Sequence, residues 1–140
     1  MQVSVGFEES PSCQVSVLRA DQMTCMNHKI PDLQGRYAPG MTVLGQYMFV
    51  CGGHFYNAGS PRRECYKLDL DSTSPSWESF PQLPNTRRDL VLLTYDSHIY
   101  VIGGYYYGSG SGCRSDVARI TASGGSWESR AAFPRGIHRC

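Results

Sequence analysis

Charge of one sign is what this sequence most plainly lacks: thirteen Lys and Arg face twelve Asp and Glu, a formal net charge of +1 over 140 residues. Without a polyanion-binding field, nucleic acid is not an expected partner. Long hydrophobic runs are missing too. Stretches such as Leu90 to Leu93 and Ile99 to Ile102 fall far short of the roughly 18 residues that cross a bilayer, so no membrane span is expected. Met1 leads into Gln2, Val3, Ser4 and Val5 and then Glu8 and Glu9, without the basic start and apolar stretch of a signal peptide. The beginning reads as cut, or mature. No segment sustains a 3.6-residue period, which leaves strands and turns to build the core that a 41% hydrophobic content supports.

Catalytic signatures are absent as well. Gly108 to Gly112 reads G-S-G-S-G, with glycine where a G-x-S-x-G nucleophile would stand, and neither G-x-x-x-x-G-K-[ST] nor G-x-G-x-x-G occurs. His28, His54, His98 and His138 build no motif. The cysteines at 13, 25, 51, 65, 113 and 140 form no C-x-x-C pair and no zinc spacing with those histidines, so neither a metal nor another cofactor is expected. An even cysteine number favours disulfides and an oxidising, secreted or extracellular setting; six buried free thiols in a cytoplasmic protein are the alternative. No N-x-[ST] sequon is present.

What is present is an internal repeat. Fifteen Gly and eight Pro punctuate short runs of Val, Ile, Leu, Tyr and Phe, the pattern of many short strands. Tyr47-Met-Phe-Val-Cys-Gly-Gly53 recurs as His98-Ile-Tyr-Val-Ile-Gly-Gly104, 51 positions on, and Ser76-Trp77-Glu78-Ser79 recurs as Ser126-Trp127-Glu128-Ser129, 50 positions on. Arg36 matches Arg87. Weaker traces reach the start, where Cys13 to Leu18 matches Cys65 to Leu70 and Cys25 to Leu33 matches Trp77 to Leu83. Each unit predicts four strands, near 40–45, 47–52, 64–70 and 76–80 in one, and near 89–95, 98–103, 114–121 and 126–130 in the next. Tyr66, Leu68 and Leu70 alternate with Lys67 and Asp69, so one face of that strand packs on a neighbouring sheet.

The double glycine after an aliphatic strand, Tyr66 13 residues later and Trp77 beyond it resemble the kelch repeat. That resemblance implies an all-β fold: a kelch-type β-propeller segment with two complete four-stranded antiparallel blades, a partial first blade and the start of a fourth. The divisions expected are 1–35, 36–86, 87–137 and 138–140. By the same resemblance Gly52, Gly53, Gly103 and Gly104 make sharp turns, and Tyr66, Trp77 and Trp127 fill the wedge between blades. The third unit offers Val117 or Ala118 for the Tyr, and the first carries Cys25 for the Trp and only Gly6 near the glycine pair. A closed ring needs four to eight blades. The chain is therefore expected to be a fragment of a longer polypeptide or to be completed by further chains, as a homo- or hetero-oligomer.

In the blade frame Cys51 ends one strand and Cys65 opens the next, so a disulfide is expected between them, closing a loop worth about 3 kcal/mol. Ile102 and Ser115 take those places in the third blade. Cys113 and Cys140 have no evident partner, Cys13 is expected to have lost its own to truncation, and Cys25 to face a neighbouring chain.

Propellers place function in their end loops. One end collects His54, Phe55, Tyr56, Asn57, Arg62 and Arg63 from one loop, and Tyr105, Tyr106, Tyr107, Ser109, Ser111 and Arg114 from its counterpart. Arg36, Arg87, Arg88 and His138 come from the blade junctions. Tyr, Ser, Gly, Asn and Arg suit an adaptable recognition surface. These residues are expected to bind a protein partner without catalysis, although Arg87 serves equally well as a structural hydrogen-bond donor. Rival readings are an intracellular kelch adaptor of a ubiquitin ligase, a carbohydrate-binding propeller using Tyr105 to Tyr107, and a fragment similar to galactose oxidase. The first usually carries a BTB domain, and the last needs a ligand arrangement that is not recognisable here.

Overall fold

The computed structural model describes residues 2–6, 14–18 and 25–29 as backbone strands and 36–55, 60–107 and 112–137 in full. No described helix is long and apolar enough to cross a membrane, and all regular structure described is β. Strands β1 (Gln2–Gly6), β2 (Gln14–Leu18) and β3 (Cys25–Lys29) form a three-stranded antiparallel sheet. The next six are β4 (Arg36–Tyr37), β5 (Gly40–Leu44), β6 (Tyr47–Cys51), β7 (His54–Phe55), β8 (Cys65–Asp69) and β9 (Trp77–Phe80). The last six are β10 (Val91–Tyr95), β11 (His98–Ile102), β12 (Tyr105–Tyr106), β13 (Gly112–Cys113), β14 (Val117–Thr121) and β15 (Gly124–Arg130). Two four-stranded sheets result, ordered β5-β6-β8-β9 and β10-β11-β14-β15, while β4 pairs with β7 and β12 with β13. The eight long strands lie where the repeat places them. The two-residue pairs were not foreseen. The first sheet has three strands, as a blade without its opening strand should, and 138–140 lie outside the described residues.

The central strand β6 is apolar at four consecutive positions because both its faces are covered. Met48 and Val50 point to one side and Phe49 and Cys51 to the other, none more than 1% exposed. Phe49, Cys51, Cys65 and Phe80 meet Leu92, Ile99, Val101, Ala118 and Ile120 of the following sheet, and Leu90 just before it, in one cluster. The Phe49 and Phe80 rings stand edge to face, 4.9 Å apart. On the reverse face Met48, Leu68 and Leu70 pack with Val43 and Trp77. Burial of a side chain such as Phe49 contributes about 1.5–3 kcal/mol.

Cys51 and Cys65 stand directly opposite each other in the β6–β8 register and are joined by a disulfide. The expectation for the third blade needs correction: Ile102 pairs with Val117, not Ser115, because the β11–β14 connection is one residue longer than the β6–β8 connection, whereas a 50-residue shift from Cys65 makes it one shorter. The same offset puts Ala118 at the Tyr66 position, each opposite a valine, Val101 or Val50. Tyr66 itself lies under a guanidinium, with the Arg36 Cζ 5.2 Å from its ring centroid, rather than in the apolar cluster. Trp77 and Trp127 are half-buried at the margins of the two clusters, and the Trp127 indole donates to the Pro81 carbonyl at 3.1 Å.

The doubled glycines are demanded by backbone approach. Gly52 and Gly53 have φ of +68° and +85°, and a Cβ would come within 2.7 Å of the Arg87 carbonyl oxygen at the first and 2.8 Å of the Tyr37 carbonyl oxygen at the second. Gly45, in the β5–β6 turn, has φ +62° but open space around it. Gly53→Ala is therefore expected to cost about 2–4 kcal/mol and Gly45→Ala about 1 kcal/mol. Equal losses in urea unfolding would show that the contact with Tyr37 carries no weight.

Candidate functional site

Antiparallel register decides which loops share an end. Gly40 pairs with Cys51, Cys51 with Cys65 and Cys65 with Phe80, so the β6–β8 connection and the blade junction after β9 lie together. Main-chain bonds fasten them: Gly53 N–H donates to the Arg87 carbonyl at 2.9 Å, Arg87 N–H to Arg62 at 2.9 Å, and Leu83 N–H to Arg63 at 2.8 Å. The next unit repeats this, with Gly104 N–H donating to Ile137, Ile137 N–H to Arg114 and Phe133 N–H to Ser115, each at 2.8 Å. His54, Phe55, Arg62 and Arg63 thus share a junction face with Arg87, Arg88, Tyr105, Tyr106 and Arg114. Tyr56, Asn57, Ser109, Ser111 and His138 lie outside the described residues.

The arginines divide into two kinds. Arg36, expected on the binding face, and Arg87, for which a structural hydrogen-bonding role was equally expected, are turned inward, with 4% and 0% of their surface exposed. Arg36 Nη1 donates to the Gly52 and Glu64 carbonyls, both at 2.8 Å, and its Nη2 lies 3.7 Å from the Glu64 carboxylate. Arg87 Nη1 donates to the Gly103 carbonyl at 3.0 Å and Nη2 to Asp116 at 2.5 Å. These two hold the face in place rather than contact a partner. Arg62 and Arg114 grip the same carboxylates from the outer side, Arg62 Nη2 at 2.6 Å from Glu64 and Arg114 Nε at 2.7 Å from Asp116. Each also lies over an aromatic ring, Phe55 at 4.5 Å and Tyr106 at 5.3 Å. One device is therefore built twice: inner arginine, carboxylate, outer arginine, aromatic ring.

Glu64 and Asp116 were missed in the sequence reading, although Arg62-Arg63-Glu64 and Arg114-Ser115-Asp116 recur as Arg-x-acid. Burial would raise both carboxyls, but hydrogen bonds prevail, from the backbone and Arg62 at Glu64 and from Arg87 and Arg114 at Asp116. Both titrate below their ordinary values. Burial pushes the Arg87 guanidinium down, and Asp116 opposes that.

Arg88 occupies a third setting. Its Cζ lies 5.5 Å from the Tyr105 ring and 4.7 Å from the Tyr107 ring, its Nη2 donates to the Tyr107 hydroxyl, and its Nε is 3.4 Å from Asp89. Tyr107 keeps 49% of its surface in solvent and Tyr37 keeps 55%. The Tyr37 ring meets the His54 ring edge-on at 5.3 Å. Burial, and then the Arg88 charge, push the His54 imidazole below its ordinary value.

Tandem four-stranded antiparallel sheets packed face to face, joined at one end by repeating junctions, define a segment of a β-propeller. No family model matches the chain. Among solved structures it is similar to YjhT, a kelch-type propeller protein, with a TM-score of 0.62 at 20% identity over 74% of this chain. At that identity the likeness shows the fold alone. The chain matches 29% of YjhT's length.

Arg87→Leu leaves the Gly103 carbonyl and Asp116 without their buried donor. The expected cost is about 2–4 kcal/mol, moderated because Asp116 keeps solvent access. Arg87→Lys is not expected to restore it, since an ammonium lacks the fork. Asp116 titrates below 3.8 when folded, so its contribution is complete above the unfolded value and fades as pH falls through the folded one. The stability gap between wild type and Asp116→Asn, measured by urea unfolding, should therefore hold above about pH 5 and narrow as pH falls below about 4 and through the folded value. A gap that stays constant would remove the ion pair from the account.

Proposed function

We propose that this propeller segment belongs to a secreted or extracellular kelch-repeat protein and is a non-catalytic module that binds a protein partner through its junction face. One observation carries the reading. Loops and junctions of successive blades are hydrogen-bonded into one surface, where exposed tyrosines stand beside arginines already held in position. Tyr and Arg dominate interface energetics, and prepositioned side chains lose less entropy on binding. The double glycine, Tyr66 and Trp77 support the kelch reading. The Cys51–Cys65 disulfide supports the oxidising compartment.

A random peptide display library tests the binding. Peptides are expected to be recovered, and Tyr107→Ala and Arg88→Ala should each weaken them on the order of tenfold or more, while Lys67→Ala, in the middle of a blade, leaves them unchanged. Hits confined to a glycan array would overturn the protein-partner reading in favour of sugar stacking on Tyr105 to Tyr107. Intact mass with and without reductant tests the compartment: Cys51 and Cys65 should be linked in natively secreted material, and six free thiols would remove that reading.

A further inference from the structure

The near-neutral chain conceals a strongly polarised one. At the junction face Arg62, Arg63, Arg88, Arg114 and Arg135 join the buried Arg36 and Arg87, against three carboxylates, Glu64, Asp89 and Asp116. Those seven cations over three anions leave a surplus of four, and Arg130, paired with Val117 at the same end of β15, adds to it. Arg135 belongs here because its junction is held by the Phe133 to Ser115 and Ile137 to Arg114 bonds. At the opposite end, where the β5–β6 and β10–β11 hairpins turn and β8 leaves its sheet, the described charges are Asp69, Asp71 and Asp96, with no cation among the described residues. Charge thus runs along the strands from one end to the other while the total nearly cancels.

From this polarity we infer that the junction face takes an acidic, extended segment of a protein, its carboxylates paired with the outer arginines. The inference rests on the binding reading above and names the chemistry of the partner. Three features favour a peptide of spaced carboxylates over a dense polyanion such as a sulfated glycan. The cations named on the face are all arginine, whose fork matches a carboxylate in two bonds, while Lys67 sits in mid-blade opposite Glu78. The arginines are set apart by aromatic rings at Phe55, Tyr105, Tyr106 and Tyr107, which offer apolar area to the residues between acidic ones. Glu64, Asp89 and Asp116 lie among them and would repel a continuous line of negative charge.

Octaglutamate is the probe, with heparin and octalysine as comparisons. Octaglutamate should bind the full chain, with affinity falling on the order of tenfold as salt is raised beyond physiological strength. The double variant Arg63→Glu with Arg135→Glu, both exposed positions, should lose binding on the order of tenfold or more. Lys67→Glu with Arg119→Glu makes the same charge change in mid-blade and should retain it, with circular dichroism confirming that both double variants stay folded. Equal loss in the two double variants, or binding of heparin alone, would overturn the inference. Should octaglutamate fail while library peptides without acidic residues bind through Tyr107 and Arg88, the acidic partner is wrong and the binding face stands. Failure of every peptide removes both.

Discussion

Arg87 joins the sheet behind it to the sheet ahead, and the rest of the architecture depends on that join. Its carbonyl accepts from Gly53 and its N–H donates to Arg62, both in the loop of the preceding blade. Its guanidinium reaches forward to Gly103 and Asp116 in the loop of the following one. A residue that uses main chain in one direction and side chain in the other sets the separation of two blades at this end. The glycine pair follows from the same join, because the Arg87 carbonyl leaves no room for a Cβ at Gly52. Arg36 repeats the forward half of the arrangement on Gly52 and Glu64.

A buried guanidinium is expensive to desolvate, and the chain meets that cost with main-chain carbonyls and a carboxylate already neutralised from outside by a second arginine. The outer arginine is left with bonds on one side and an aromatic ring beneath it. It is ordered before any partner arrives, and a flexible cation loses more entropy when it is ordered by a ligand. The scaffold that spaces the blades and the surface offered to solvent are thus two sides of one ion-pair network. Stability and the order of that surface are coupled through Glu64 and Asp116.

Much of this was legible in the sequence, for physical reasons that also explain the failures. Strand positions came through because a central strand covered on both faces must be continuously apolar, as at Met48 to Cys51, and because a doubled glycine marks its end. The disulfide followed from the hairpin, since Cys51 and Cys65 flank one connection. Side-chain direction did not come through. Arg36 and Arg62 look alike in sequence, and only the carbonyls gathered by folding turn the first inward. The misplacement of Ser115 has a different origin: a Gly and Ser-rich connection carries no pattern against which its length can be counted. The short pairs β4 with β7 and β12 with β13 are too brief for a period of two to declare itself.

Comparing equivalent positions on the two complete sheets measures what a neighbouring blade contributes. Phe49 and Cys51 are sealed, at 0% and 1% exposed, because the following sheet lies over them. Tyr100 and Ile102 hold the corresponding places one repeat later and are half-buried, while Leu93, paired with Tyr100, is 37% exposed, and Tyr95, paired with His98, is 71% exposed. The residues on the two faces are similar in kind, and even the rim is repeated, Lys67 with Glu78 in one and Arg119 with Glu128 in the other. What differs is the cover. The apolar cluster on Phe49 is therefore a property of two sheets jointly, and each blade's stability is set by its neighbours as much as by its own strands. The junction face inherits that dependence, because every loop in it is fastened to the blade before or after.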